Sequence, residues 1–206
     1  MKTDTDFYQS LEQLQADLQR DVHYRVRIFD RRQAVTLIAP HGGFIEAGTS
    51  HIAEAIAGSE CNFFDFQALH KRHAKKLHVT SVRFRHGYLV GLLGRSNTAV
   101  SIHSKGSEQN GTILLGGLNS VLKERIFAEL KSAGFPVTTK GPRHRGVHPR
   151  NIVNLAQEKG VQIELTSKVI ARMFVSGTPR FSREHSPLQT TAYFDSFVEA
   201  VRRATR

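Results

Sequence analysis

Between Leu37 and Ser50 the chain reads LIAPHGGFIEAGTS: an apolar run ends, two glycines turn the backbone, and His41 and Glu46 lie on either side of them. Glycines let the backbone fold back sharply, so the two side chains can converge. A histidine and a glutamate are both zinc donors, and a hydrolytic zinc needs three protein ligands and one open position. His103, at the end of NTAVSIHS, would supply the third ligand. A carboxylate beside such a site can take a proton from water and pass it to a leaving nitrogen. Glu164 in GVQIELTS is the candidate. Plainer accounts stand beside each of these. The chain has 11 histidines, so His41 can be a turn residue facing water and His103 a polar strand end. Val161, Ile163 and Leu165 alternate with Gln162, Glu164 and Thr166, which puts Glu164 on the polar side of its strand.

The elements that position these residues follow from periodicity. Asp6 to Gln19 reads as an amphipathic helix capped by Asp6, with Phe7, Leu11, Leu14 and Leu18 on one face. Tyr24 to Asp30, Ala34 to Ala39, Asn62 to Gln67, Asn97 to Ser104 and Gly160 to Thr166 read as strands. YLVGLLG fits helix or strand. Helices are expected from Thr49 or Ser50 to Ala57, over Asn119 to Ala133 with Val121, Leu122, Ile126 and Leu130 as the stripe, and from Ser167 to Phe174. Ser186-Pro187 opens a last helix with Phe194, Phe197, Val198 and Val201 inward. Strands alternating with helices define an α/β domain of three layers around a mixed, mainly parallel sheet. In such sheets ligands bind beyond the carboxyl ends of the strands. His41, Glu46, His103 and Glu164 are all expected there. The 206 residues are expected to form one domain, with 1–20 as an N-terminal helix and 187–206 as a C-terminal one.

Composition narrows the partners. Lys and Arg number 29 against 18 Asp and Glu, a net charge of +11, which favours a polyanion. No run of about 18 apolar residues is present, so no membrane span is expected. MKTDTDFYQS lacks the apolar stretch of a signal peptide, and Cys61 is the only cysteine. These features suit a cytoplasmic location in the producing cell.

The ordered blocks PHGGFIEAGTS, LHVTS, VSIHS, LLGGLNS and NIVNLAQEKGVQIELTS resemble the poly-γ-glutamate hydrolases of bacteriophages and their bacterial relatives, over roughly residues 22 to 200. The resemblance implies a zinc-carboxypeptidase-like fold and one Zn2+ per chain, held by His41, Glu46 and His103. It implies Glu164 as the catalytic base. It also implies hydrolysis of γ-glutamyl amide bonds in poly-γ-glutamate, as a capsule depolymerase that acts outside after lysis if phage-encoded. Four residues separate His41 from Glu46, against two in the general carboxypeptidase pattern; the phage-type enzymes share the longer gap. With that substrate the basic excess has a purpose, since the polymer carries one free carboxylate per unit. Arg95, Asn119, Arg150 and His78 are then candidate substrate contacts, with Lys140 and Arg143 in the same basic loop as Arg150; the plainer roles are a helix cap for Asn119 and a structural hydrogen bond for His78. A monomer with no obligate nucleic-acid partner is expected. Two rival readings use the same features: a zinc amidase acting on small acyl-glutamates or γ-linked peptides, and a nucleic-acid-binding phage protein using the basic tracts at 69–78 and 140–150. The second would bind in a steeply salt-dependent way without metal.

Overall fold

The computed structural model describes residues 6–105, 111–141, 145–177, 179, 181 and 188–206. Seven strands form one sheet: β1 (Tyr24–Phe29), β2 (Val35–Gly43), β3 (Asn62–Ala68), β4 (Thr98–Ser104), β5 (Ile113–Gly117), β6 (Val137–Thr138) and β7 (Gly160–Leu165). Their order is β1-β3-β2-β4-β7-β5-β6. Strands β3, β2, β4 and β7 run parallel, β1 and β5 pair antiparallel at either side of them, and β6 runs parallel to β5. The sheet is therefore mixed and mainly parallel, as the alternation of elements requires.

Among the described residues six α-helices accompany it: α1 (Leu11–Asp17), α2 (Thr49–Ala57), α3 (Gly87–Arg95), α4 (Ser120–Ser132), α5 (Ser167–Met173) and α6 (Ala192–Thr205). One face of the sheet packs Leu37, Phe63, Val100, Ile102, Val161 and Ile163 against α2, α4, α5 and α6. The other packs Ile38, Phe64, Phe66 and Ala99 against α1, α3 and the 3-10 turns Lys71–Leu77 and Ile152–Leu155. Burial on both faces explains why β2 reads as a continuous apolar run. It also corrects the expectation for β7: its polar side is not solvated, and Gln162, Glu164 and Thr166 are all buried.

Several boundaries differ from the sequence reading, each for a local reason. Helix α1 starts at Leu11 because the Ser10 side chain accepts from the Gln13 N–H; Asp6 caps nothing there, and Phe7 is exposed. Helix α2 is preceded by Gly48 in a left-handed conformation, not by a hydroxyl cap. YLVGLLG is helical. Val121 is exposed at 69 %, so the buried stripe of α4 is Leu122, Ile126 and Leu130. Helix α6 starts at Ala192, capped by Thr191, with Phe194, Phe197, Val198 and Val201 buried as expected. Ser186-Pro187 lies outside the described residues. Among the described residues no helix is long and apolar enough to cross a membrane.

A buried ion network supports the edge of the sheet beneath the glycine turn. Arg27 on β1 donates to Asp65 Oδ2 at 2.7 Å and to both oxygens of Glu54 at 2.8 Å. Asp65, fully buried, also accepts from Ser50 Oγ and Gln67 Nε2. Burial pushes the Asp65 carboxyl up, and Arg27 opposes it. Removing one partner of a buried pair leaves an uncompensated charge. Arg27→Met should therefore lower unfolding stability by about 3–5 kcal/mol, measured in urea. Adding Asp65→Asn to that variant should restore part of the loss. Equal stability of Arg27→Met and the natural sequence would contradict this account.

Candidate metal centre

The parallel arrangement of β2, β4 and β7 brings their carboxyl ends to one edge. Ile38 pairs with Ser101 and His103 pairs with Glu164, so His41, His103 and Glu164 gather there. Strand β2 shifts register between Ala39 and Gly42, and the chain then reverses: the Glu46 N–H donates to the His41 carbonyl at 2.9 Å. Gly43 has a φ of +65°, and a Cβ there would lie 2.3 Å from the Ala68 carbonyl oxygen, so the turn needs glycine at that position. The reversal returns Glu46 to His41.

The resulting contacts are close. His41 Nδ1 lies 2.8 Å from Glu46 Oε1 and 3.2 Å from His103 Nδ1. His103 Nδ1 lies 3.6 Å from Glu46 Oε2. The backbone fixes the orientation of two members. His41 Nε2 faces the Val79 carbonyl at 2.9 Å, and a carbonyl only accepts, so Nε2 carries the proton and Nδ1 turns to the centre. The Ser104 N–H donates to Glu46 Oε2 at 2.8 Å. Both histidines are buried, and His103 Nε2 has no hydrogen-bond partner among the described residues.

Electrostatics follow from this crowding. Burial alone would push the His41 imidazole down; the Glu46 carboxylate and its hydrogen bond outweigh that and raise it, helped by the Val79 carbonyl and the charge on Glu164. Burial alone would push Glu46 up; charge on His41 and hydrogen bonds from His103 and His41 reverse the direction and hold it far below the usual carboxylate range. Three lone-pair-bearing atoms facing one another in a buried space need a shared proton or a cation between them. A proton on His41 is one answer. A divalent cation is the other, and the donor set fits it: zinc bonds of about 2.0–2.2 Å in a tetrahedron put neighbouring ligand atoms about 3.3 Å apart.

His78 borders the same cluster. Its ring stacks on that of His41 with centroids 4.1 Å apart, and His41, Glu46 and His78 each offer an atom within 4.8 Å of the others. Two triplets thus share His41 and Glu46. The one completed by His103 has the separations zinc requires. In the one completed by His78, that ring's Nδ1 donates to Asp6 Oδ1 at 2.9 Å, which leaves Nε2 as the nitrogen open to a metal. Positive charge on His41, then burial, push the His78 imidazole down, against the pull of Asp6.

The other expected contacts separate into near and far. Arg150 is exposed and adjoins Asn151, which reaches Gln162 two residues before Glu164. Arg95 and Asn119 stand at the opposite edge of the sheet and are corrected. Arg95 precedes β4, about 17 Å of strand from His103, and pairs with Asp30 at 2.8 Å. Asn119 caps α4 by accepting from the Leu122 N–H, and its amide donates to the Glu158 carbonyl beside the start of β7. Lys140 is exposed, and Arg143 lies outside the described residues. The sequence reading gave Asp6 only as a helix cap and Asn151 and Gln162 no role at the site; a polar residue two before Glu164 on the same side of a strand was the one available signal for the last.

An α/β sheet with a buried His, Glu and His cluster beyond its parallel strand ends defines a protein built around a strand-end cation or proton site. A model of the family described as poly-gamma-glutamate hydrolase matches residues 8–200, and the chain belongs to that family. A solved bacteriophage poly-gamma-glutamate hydrolase is similar over 98% of this chain and 97% of its own, with TM-score 0.90 and 29% identity. YndL, solved as its zinc-free apo form, is similar over 98% of both chains, with TM-score 0.87 and 27% identity. The SPbeta prophage-derived protein YoqZ of Bacillus subtilis is 30% identical over 172 residues, covering 82% of this chain but only 62% of that relative. The match thus spans less than two thirds of YoqZ.

Asp6 ties the amino-terminal segment to the rim of the centre. Its carboxylate, 2 % exposed, accepts from His78 Nδ1, the Thr80 N–H and Arg83. Asp6→Ala should cost about 1–3 kcal/mol of stability by leaving these donors unpaired, and should speed proteolysis before Leu11. An unchanged urea midpoint and digestion rate would refute this tether.

Proposed function

We propose that the chain is a zinc-dependent hydrolase of the γ-glutamyl amide bonds of poly-γ-glutamate. One observation carries the reading: His41 Nδ1, Glu46 and His103 Nδ1 converge to within 2.8–3.6 Å at the strand ends, with Glu164 on the strand beside His103. Membership of the hydrolase family and likeness to the bacteriophage enzyme support the substrate. YndL, solved in a form called zinc-free, supports the metal.

His41, Glu46 and His103 would hold one zinc ion. Bound there, zinc supplies a Lewis acid and lowers the pKa of water towards about 7. The Val79 carbonyl and the Ser104 N–H keep His41 and Glu46 turned to the centre, as outer partners of metal ligands do. Glu164 accepts the proton of the attacking water and returns it to the γ-amide nitrogen as the C–N bond breaks. Its burial beside Gln162 keeps bulk water from competing for that proton. The net charge of +11 draws a polymer that bears one carboxylate per unit, and Arg150 and His78 are the candidate contacts for those carboxylates.

Purified protein should contain about one zinc per chain and shorten poly-γ-glutamate in a reaction that a chelator stops. Glu164→Gln should keep the zinc and lose about 10²- to 10⁴-fold in turnover. His103→Ala should lose both zinc and activity. Cleavage of short γ-linked peptides with the polymer left intact would replace the substrate. Wild-type turnover by Glu164→Gln would remove the proposed base. Salt-sensitive nucleic-acid binding with neither zinc nor turnover would overturn the enzyme reading.

A further inference from the structure

A one-way chain of hydrogen bonds ends on Glu164. The Val153 N–H donates to Asn151 Oδ1 at 3.1 Å. Asn151 Nδ2 donates to Gln162 Oε1 at 2.8 Å. Gln162 Nε2 donates to Glu164 Oε1 at 2.7 Å. All three side chains are buried, at 5 %, 5 % and 4 % exposure. An amide side chain can be turned end for end, so the orientation of a lone glutamine beside a carboxylate is undetermined. Here the start of the chain is a backbone N–H, which can only donate. It fixes Asn151 Oδ1 as the acceptor, which makes Asn151 Nδ2 the next donor. That in turn sets Gln162 with its oxygen towards Asn151 and its nitrogen towards Glu164.

The surroundings hold this arrangement in place. Gln162 and Glu164 lie on one side of β7, opposite Ser101 and His103 of β4. Gly146 sits against Gln162 with a φ of +59°, and a Cβ there would come within 2.9 Å of Gln162 Cβ and Oε1. Asn154 Nδ2 clamps the same segment through the Gly146 and His148 carbonyls, at 2.7 and 3.0 Å. The segment that carries Arg150 is thereby packed onto the residue that touches the carboxylate.

We propose that Gln162, oriented by Asn151, is a positioning residue that holds Glu164 in place for proton transfer and couples it to the 145–151 segment. The inference rests on the reading of Glu164 as the proton acceptor. Gln162 touches Glu164 rather than the substrate, so it acts on the chemical step and not on binding. Outer residues of this kind change activity by about 10- to 100-fold.

The test uses two near-isosteric variants of the full chain, Gln162→Met and Asn151→Asp. The first removes the donor. The second keeps the acceptor for Val153 but offers Gln162 a carboxylate, which turns its amide round and sets an oxygen against Glu164. Each should lower kcat on poly-γ-glutamate about 10- to 100-fold, with KM within about twofold and zinc content unchanged. Because both act through one chain, the double variant should be no slower than the worse single one. A crystal structure of Gln162→Met should show the Glu164 carboxylate moved from its present place. Normal kcat in both variants, or Glu164 unmoved in those crystals, would overturn the inference. Loss of KM and zinc together would assign Gln162 to structure alone. If Glu164→Gln is inactive while Gln162→Met is normal, positioning fails and the base stands. If Glu164→Gln is fully active, the base itself fails. Should Gln162→Met not fold, Asn151→Asp alone decides.

Discussion

Two imidazole nitrogens and a carboxylate cannot share a buried space about 3 Å across unless a proton or a cation sits among them. His41, Glu46 and His103 are placed in that relation by the main chain itself. The Val79 carbonyl turns one nitrogen inward, the Ser104 N–H turns one carboxylate oxygen, and the β2–β4 pairing sets the two histidines side by side. None of these tethers depends on a flexible side chain. The cluster is therefore preorganised around a shared proton or a cation, and desolvation would work against every member without one.

The sheet makes this arrangement possible. Parallel strands put several carboxyl ends on one edge, where loops rather than ladder partners follow, and polar groups can gather without breaking the sheet. The polar residues then form two supporting systems. Arg27, Asp65, Ser50 and Gln67 fill the space under the Gly42–Gly43 turn, next to His41 and Glu46. Asn151 and Gln162 fill the space beside Glu164. One system fixes where the proposed metal ligands stand and the other where the proposed proton acceptor points. Their separation lets the two be perturbed independently.

Much of this was legible in the residues. A continuous apolar run located β2, shorter β-prone or alternating runs located β3, β4 and β7, and a glycine pair between His41 and Glu46 announced their convergence. The ends of the sheet were harder. Arg95 and Asn119 adjoin strands in the sequence, but proximity along the chain does not say which edge a residue occupies; both fell on the wrong one. Val121 shows the same limit on a helix, where a β-branched residue beside the stripe is solvent-facing. Asp6 and His78 meet across 72 residues, and Asn151 and Gln162 belong to different elements, so no local period could pair them. The alternation in GVQIELT located the polar side of β7 correctly but could not show that the 3-10 turn at Ile152–Leu155 covers it.

The most direct measurement is a crystal structure of zinc-loaded protein with the metal located by its anomalous scattering. One strong peak is expected about 2.0–2.2 Å from His41 Nδ1, a Glu46 oxygen and His103 Nδ1. A peak bound instead through His78, or no peak at the strand ends in zinc-replete crystals, would contradict that ligand set.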